Sequence, residues 1–160
     1  MSLAIRQATA VDRDRIVLFN QAMAKETEGR ILDPETLARG VEAMLDDPAR
    51  GRYFVAEDER DTEEASGSEI VGQLAVTTEW SDWRNGDVWW LQSVYVARSH
   101  RRRGVYRHLH LHVRDMARAA GVIGLRLYVE RDNEAAQSAY ASLGMHTSPY
   151  VMYEEFWPPP

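Results

Sequence analysis

Residues 94–107, VYVARSHRRRGVYR, place five arginines around a single glycine, Gly104. The chain as a whole is acidic, with 25 aspartates and glutamates against 19 lysines and arginines, so this positive charge is local. A guanidinium can bind a phosphate through two parallel hydrogen bonds, and a helix that begins at the glycine would add backbone N–H donors. The stretch predicts a phosphate site, with a basic surface turn in an arginine-rich chain as the alternative.

The hydrophobic pattern places this stretch between a strand and a helix. A predicted strand over 86–96, GDVWWLQSVYV, ends just before the arginines. From Val105 to Ala120 apolar residues recur at three- and four-residue steps, which is typical of an amphipathic helix, and Gly121 is expected to end it. A strand, a short loop and a helix are the elements that present a helix N-terminus to an anion.

The rest of the chain predicts a mixed sheet flanked by helices. The predicted strands cover 3–9, 52–58, 69–80, 124–131 and 146–157, and the predicted helices cover 11–25, 34–48 and 134–143. Asn85-Gly86 indicates a tight hairpin, and the acidic stretch 57–69 is predicted to be a solvated loop with a disordered tip. The order β-α-α-β-β-β-α-β-α-β predicts an α/β fold and a single domain over residues 1–160.

The composition excludes several classes of protein. The chain has 160 residues, 44% of them hydrophobic, and a net charge of -6, which argues against a protein that coats nucleic acid. There are no cysteines, so a thiolate nucleophile and cysteine metal ligands are excluded. The N-terminus has no apolar signal segment, and no run approaches the roughly 18 apolar residues of a membrane span. We expect a cytoplasmic protein with no nucleic-acid or membrane partner.

Two motifs at this spacing resemble those of the GNAT superfamily of acyl-CoA-dependent N-acyltransferases. Residues 101–105, RRRGV, match five of the six positions of the family signature Q/R-x-x-G-x-G/A, and Tyr106 stands where the last small residue is usual. After about twenty residues and a predicted strand, NEAAQSAYASLGM supplies Asn133, Ala136, Tyr140 and Gly144. The element order agrees as well, so the resemblance covers about residues 3–157.

The resemblance implies a GNAT-like fold with acetyl-CoA as co-substrate. The pantetheine arm would lie between two splayed strands, 92–96 and 124–131, and backbone N–H groups of residues 102–107 would hold the pyrophosphate. Arg98, Arg101 and Arg103 would contact the outer phosphates, and Asn133 would serve the pantetheine amide or cap its helix. The expected cofactor-binding residues are Val94, Tyr95, Val96, Arg101, Arg102, Arg103, Gly104, Val105, Tyr106, Arg107, Asn133, Ala136 and Tyr140.

The resemblance also implies direct attack of a primary amine on the thioester in a ternary complex. Tyr140 lies where the family often has the acid that protonates the leaving thiolate; a core aromatic is the alternative. Gln92 and Ser93 occupy the stretch where some members have a glutamate base, so the base is expected elsewhere, with Glu79 and Glu130 as candidates by location. The competing hypotheses are an acyl-CoA sensor without turnover and a nucleic-acid-binding module.

Histidines and tryptophans give weaker indications. His108 and His112 share a helix face, but with no third ligand nearby we expect no metal site. Trp80, Trp83, Trp89 and Trp90 gather on one predicted hairpin. Indoles there are typical of a core or of a subunit interface, and the second alternative would imply a homodimer. A further alternative is that they line a pocket for an apolar or cationic amine. The acceptor is expected to be a small molecule or a peptide.

Overall fold

A mixed β-sheet is the framework of the N-terminal part of the chain in the computed structural model, which describes residues 2–62 and 65–158. Its strands in these residues are β1 (Ser2–Gln7), β2 (Arg52–Thr62), β3 (Ala65–Ser81), β4 (Gly86–Val96) and β5 (Gly124–Arg126). They lie in the order β1-β2-β3-β4-β5, antiparallel except for the parallel pair β4 and β5. The predicted α/β fold with a mixed sheet is confirmed.

The α-helices in the described residues are α1 (Arg13–Glu28), α2 (Pro34–Asp46), α3 (Val105–Ala119) and α4 (Glu134–Ser142). Short 3-10 turns precede α1 (Ala10–Asp12) and α3 (Arg98–His100). Two predicted helix starts are confirmed by their caps. Asp33 Oδ2 accepts the Thr36 N–H at 2.8 Å before α2, and Asn133 Oδ1 accepts the Ala136 N–H at 3.1 Å before α4.

The two faces of the sheet pack against different helices. Successive side chains of a strand point to opposite faces. On β2, Phe54 and Ala56 belong to an apolar cluster with α3, whereas Tyr53 and Val55 belong to a second cluster with residues of α1 and α2. The sheet is therefore covered by α3 on one face and by α1 and α2 on the other.

Gly72 of β3 lets α3 begin close to the sheet. A Cβ atom at this position would lie 2.8 Å from Cγ1 of Val105 and 3.3 Å from Cδ1 of Leu109. Such contacts would require the Val105 side chain or the start of α3 to shift. A residue without a side chain in β3 thus allows the start of α3 to pack closely against the sheet.

The described chain forms two compact units, Met1–Tyr128 and Val129–Pro160. The first unit holds the sheet with α1, α2 and α3, and α4 is the regular element of the second unit among its described residues. That the two units make up one domain stays a prediction.

Three strand predictions are corrected. The strand predicted over 124–131 is limited to Gly124–Arg126, because only Gly124, Leu125 and Arg126 pair with β4. The strand predicted over 146–157 is not formed, since a strand needs a hydrogen-bonded neighbour and these residues have none in their own described unit. The first strand ends at Gln7 rather than at residue 9.

Most of the acidic stretch 57–69 is not a loop. Here β2 and β3 continue as an antiparallel ladder, with Asp58 opposite Glu69 and Glu59 opposite Ser68. The backbone hydrogen bonds of a ladder do not require apolar side chains, so the strands can extend beyond the core. The predicted disordered tip falls at residues 63 and 64, which lie outside the described residues.

Candidate functional site

Helix α3 begins at a glycine with a left-handed backbone. Gly104, the residue before the helix, has φ 82° and ψ 6°, a conformation that residues with a Cβ atom rarely adopt. Its carbonyl accepts the His108 N–H at 3.0 Å and lies 2.8 Å from His108 Nδ1. As in any helix, the N–H groups of the first turn have no acceptor within the helix itself. This geometry suits the predicted anion site.

A carboxylate that the sequence did not indicate lies beside the arginines. Glu26, in the last turn of α1, accepts hydrogen bonds from Tyr95 Oη at 2.9 Å, from Arg98 Nε at 2.9 Å and from Arg101 Nη2 at 2.7 Å. Burial alone would raise the pKa of Glu26, but these hydrogen bonds, that of Arg101 foremost, hold it below its usual value. Two arginines predicted to contact phosphates are therefore already ion-paired.

Arg101 has further contacts within the same cluster. Its Nε donates to the carbonyl of Val96 at 3.0 Å, and its guanidinium carbon lies 5.3 Å from the centre of the Tyr95 ring. In contrast, Arg102, Arg103 and Arg107 are exposed and form no ion pair within residues 2–62 and 65–158. These three supply the uncompensated positive charge around Gly104.

Tyr106, the departure from the family signature, lies along the helix. Its hydroxyl is 3.1 Å from Nδ1 of His110, one turn further on, and the two ring centres are 5.7 Å apart. Burial, and then the nearby charge of Arg114, lowers the pKa of His110 below its usual value. The Tyr106 side chain is thus directed toward the following turn of α3.

Strand β4 is irregular where the cofactor arm is predicted to lie. The pairing with β3 passes from Ala75↔Gln92 to Gln73↔Tyr95, so Ser93 and Val94 form a bulge. Ser93 has φ 50°. On the other side β4 pairs with β5 at residues 88–90 alone, so residues 91–96 have no strand neighbour there within residues 2–128. A bulge bends its strand and leaves backbone groups unpaired.

Glu79, one of the two predicted bases, is engaged by neighbouring side chains. It accepts a short hydrogen bond from Nε1 of Trp90 and one of 3.0 Å from Nη1 of Arg126. The Trp90 hydrogen bond is the main reason that the pKa of Glu79 lies below its usual value, with Arg126 acting in the same direction and partial burial opposing both. Glu79 is therefore a poorer base than a glutamate free in water.

The four tryptophans lie in different environments. Trp89 is buried in the cluster with α3, and the guanidinium of Arg52 lies 4.8 Å from its ring centre. Trp90 is half-buried on the other face, 6.2 Å from the ring of Tyr128. Trp80 and Trp83 are exposed near the β3–β4 turn. The prediction that these residues line an acceptor pocket or a subunit interface is not tested by this arrangement.

The remaining predicted site residues belong to the second unit. Asn133 caps α4, as described, and Ala136 donates the capped N–H. Burial raises the pKa of Tyr140 above its usual value. Its hydroxyl is protonated at neutral pH even without this shift. The exposed Glu130 accepts the Asp132 N–H at 2.7 Å through Oε2. The roles of these residues stay predictions.

The described residues contain neither a cluster of metal-binding side chains nor a membrane-spanning helix. No group of three or more histidine, cysteine, aspartate or glutamate side chains there could hold a metal ion. Likewise, none of the described helices is both long and apolar enough to cross a membrane.

The sequence matches an acetyltransferase family, and the fold is similar to that of solved structures. Residues 18–145 match the Acetyltransferase (GNAT) family, so the chain belongs to this family. It is 39% identical to a possible acetyltransferase from Clostridium difficile 630, over 98% of this chain and 99% of that one, with a TM-score of 0.84. It is similar at 25% identity and TM-score 0.78 to a probable acetyltransferase, over 98% of this chain and 99% of that one.

A more distant likeness concerns the fold alone. The structure of a predicted acetyltransferase with acetyl-CoA from Clostridium acetobutylicum is 14% identical, with a TM-score of 0.75 over 96% of each chain. No curated protein matches the sequence. The predicted GNAT membership is confirmed.

Proposed function

We propose that this GNAT acetyltransferase transfers an acetyl group from acetyl-CoA to a primary amine by direct attack in a ternary complex. One observation carries the proposal: β4 bulges at Ser93 and Val94 and loses its neighbour β5, and its chain then leads directly to Gly104 at the start of α3. An extended ligand with a phosphate end could lie along such a strand, since unpaired backbone groups receive an added strand and a helix start receives an anion.

The chain's residues fit acetyl-CoA at this place. The pantetheine arm would form hydrogen bonds with the backbone of residues 94–96. The pyrophosphate would accept hydrogen bonds from the N–H groups in the first turn of α3. Gly104 has no side chain to block this approach, and the exposed Arg103 and Arg107 offer charge for the outer phosphates. The bound substrate supplies an activated thioester. The protein orients the thioester, accepts or passes on the proton of the amine, and protonates the leaving thiolate.

The proton steps are assigned to side chains by the family pattern. The amine nitrogen forms a bond to the thioester carbonyl carbon, and the carbon–sulfur bond breaks to release the thiolate. Tyr140, whose hydroxyl is protonated at neutral pH, gives its proton to that thiolate. The proton of the amine passes to water or to a carboxylate, for which Glu79 and Glu130 are the candidates. Atoms and charges balance, because one proton is given and one is taken up.

One observation favours a second candidate function. Gln92 and Ser93 are not bases near neutral pH, and Glu79 is occupied by Trp90 and Arg126. A chain without an effective base could bind acyl-CoA as a sensor without turnover. If the protein is an enzyme, its acceptor is the amine of a small molecule or a peptide. A homodimer is compatible with either function.

Calorimetric titration with coenzyme A and acetyl-CoA tests the binding step. Gly104→Glu should abolish binding, because it puts a bulky negative group where the pyrophosphate is proposed. The matched control is Gly121→Glu at the other end of α3, where the glycine also has positive φ, 75°, and no atom lies near the added Cβ. The control carries the same charge and similar backbone strain, so it should bind normally. A wild type that binds neither ligand would refute the proposal.

Replacing Tyr140 by phenylalanine separates the enzyme from the sensor. The change keeps the ring and removes the proton donor, so turnover should fall by about 10²-fold while the affinity for acetyl-CoA stays nearly the same. The assay follows free thiol with a mixture of amines, amino acids, polyamines and aminoglycosides. Unchanged turnover would make Tyr140 a structural residue. A wild type that binds acetyl-CoA and releases thiol with none of these amines would favour the sensor.

A further inference from the structure

A group of polar and aromatic side chains lies next to the bulge of β4, on the face of the sheet that carries α1 and α2. In the register of the sheet, Trp90 of β4 lies opposite Thr77 of β3 and, on its other side, opposite Arg126 of β5. Side chains directly opposite each other share a face of the sheet, as do those two positions apart along a strand. Glu79 and Gln92 therefore lie on the same face as Trp90.

Glu79 connects side chains of all three strands. Its Oε1 accepts a hydrogen bond from Nη1 of Arg126 at 3.0 Å, and its Oε2 accepts one from Nε1 of Trp90. The ring of Trp90 in turn lies 6.2 Å from the ring of Tyr128, measured between the ring centres. Glu79 thus orients both the indole and the guanidinium. The ion pair is accessible, because the side chain of Glu79 is 41% exposed and that of Arg126 is 36% exposed.

Two kinds of hydrogen-bonding groups remain available on this surface. Nε and Nη2 lie on one edge of the guanidinium of Arg126, and they form no hydrogen bond with another described residue. Such an edge binds a carboxylate through two parallel hydrogen bonds. Gln92 donates from Nε2 to Thr77 Oγ1 at 2.7 Å, whereas its Oε1 accepts no hydrogen bond from the part of the chain that the structure describes. A carboxylate therefore fits at Arg126, and an N–H group fits at Gln92.

These groups lie in the order that an acceptor amine needs. Gln92 directly precedes the bulge, beside which the acyl arm is proposed to lie, and Arg126 is level with Trp90. The Cα atoms of residues 90 and 92 are about 7 Å apart along the strand, a distance that an amino acid and two hydrogen bonds of about 3 Å can span. A purely cationic acceptor fits less well, because the charge of Glu79 is already balanced by Arg126.

We propose that this group of side chains is the acceptor site, and that the acceptor is a free α-amino acid with an apolar side chain. The inference rests on the proposed function, because it needs the thioester beside β4. Arg126 binds the carboxylate, Gln92 orients the amine, and the rings of Trp90 and Tyr128 contact the side chain. Glu79 is a positioning residue for Arg126 and Trp90 and not the base, so the proton of the amine passes to another carboxylate or to water.

The first test compares an acceptor that has the carboxylate with one that lacks it. Arg126→Gln should lower kcat/KM for phenylalanine by about 10- to 100-fold, the effect of losing hydrogen bonds to a charged group. For phenylalaninamide, kcat/KM should change by less than about twofold, because the variant lacks only the partner of the carboxylate. The matched control is Arg84→Gln, which removes the same charge from an exposed arginine in the β3–β4 turn. It should leave both values unchanged.

A second variant separates a positioning role of Glu79 from that of a base. In Glu79→Gln the side-chain oxygen can still accept from Trp90, but the new amide nitrogen cannot accept from Arg126. The KM for phenylalanine should therefore rise about tenfold, while kcat and its dependence on pH stay as in the wild type. A base would behave differently, since its loss lowers kcat for phenylalanine and phenylalaninamide alike and removes the rise of kcat with pH.

The outcomes separate this inference from the proposed function. Equal losses for the two acceptors in Arg126→Gln, or a fall of kcat for both in Glu79→Gln, would overturn the inference. Should Arg126→Gln not fold, inhibition of the wild type decides: 3-phenylpropionate should compete with phenylalanine, and 3-phenylpropionamide should not. Equal inhibition by the two compounds would overturn the carboxylate site. A wild type that acetylates no apolar amino acid also overturns the inference, whereas calorimetry with acetyl-CoA and thiol release with other amines decide the proposed function separately.

Discussion

The two faces of the sheet are packed in different ways. The face toward α3 is filled by an apolar cluster that includes Phe54, Leu74, Leu91 and Leu109. The face toward α1 and α2 has a smaller apolar cluster and, beside it, the buried polar residues Asn20 and Gln73. The face toward α3 is thus filled mainly by apolar side chains, whereas the face toward α1 and α2 combines an apolar cluster with a network of hydrogen bonds.

The difference shows where this fold can accommodate function. Apolar burial is non-directional and adds to stability almost regardless of which groups meet. Buried polar groups stabilise the fold only when each has a partner in the right place, and among the described residues Oε1 of Gln73, like Oδ1 of Asp58 and Nε of Arg114, has no hydrogen-bond partner. We expect the larger apolar cluster toward α3 to contribute more to the stability of the fold than the smaller cluster toward α1 and α2.

The largest effect on this comparison is expected from Leu109→Ala. Leu109 is fully buried in the cluster with α3, so removing its side chain should lower the free energy of unfolding by about 2–5 kcal/mol. On the other face, Thr77→Val removes one hydrogen bond at a half-buried position and should cost about 1 kcal/mol or less. Urea denaturation monitored by circular dichroism measures both. Equal losses would contradict the division of roles between the two faces.

An intermediate effect that depends on pH is expected from Asp12→Asn. Asp12 is buried before α1, and its carboxylate accepts from Arg6 Nη1 at 2.7 Å, from Arg6 Nη2 at 2.9 Å and from the Thr9 N–H at 2.8 Å. The hydrogen bonds from Arg6 are the main reason that the pKa of Asp12 lies below its usual 3.8. A carboxyl group of this kind stabilises the fold above its unfolded-state pKa and loses that contribution as the pH falls through the folded value.

The asparagine variant should therefore be less stable than the wild type by about 1–3 kcal/mol near pH 7. The difference should shrink as the pH falls below the usual value of 3.8, because the wild type then loses its carboxylate as well. Melting temperatures of both proteins from pH 7 down to pH 3 measure this. A difference that stays constant over that range would show that the charge of Asp12 does not stabilise the fold.

The sequence predicted the parts of the molecule that depend on neighbouring residues. The start of α3 at Gly104 and the caps Asp33 and Asn133 follow from the conformations and hydrogen bonds that glycine, aspartate and asparagine favour, and the structure has them. The apolar steps along α3 likewise predict its buried face, which includes Leu109.

Contacts between distant residues could not be predicted in the same way. Glu26 lies 75 positions from Arg101, and no local pattern pairs them. Nothing in the types of Ser93 and Val94 indicates a bulge, because the register depends on how β3 and β4 twist together. Gln73 did leave a signal, since it is an amide inside the apolar run EIVGQLAVTT, but only the structure shows that it contacts Ser93.

The smallest expected effect tests whether the network of hydrogen bonds around Glu26 of α1 extends toward the anion site. Arg101 belongs to that network through Glu26 and Val96, whereas Arg103 is exposed and forms no ion pair with a described residue. Arg103→Gln should lower the affinity for coenzyme A by about three- to tenfold and the affinity for dephospho-coenzyme A much less. The reason is that the variant lacks the proposed partner of an outer phosphate. Arg101→Gln should lower the affinity for both ligands by the same factor. Arg101 contacts Val96 of β4 and Glu26, so its loss disturbs the strand and does not remove a partner of one particular phosphate. Arg118→Gln, the same charge change at the far end of α3, should leave both affinities unchanged at moderate salt. If Arg101→Gln instead discriminates between the two ligands, Glu26 is a partner that the phosphate displaces, and the network reaches into the anion site.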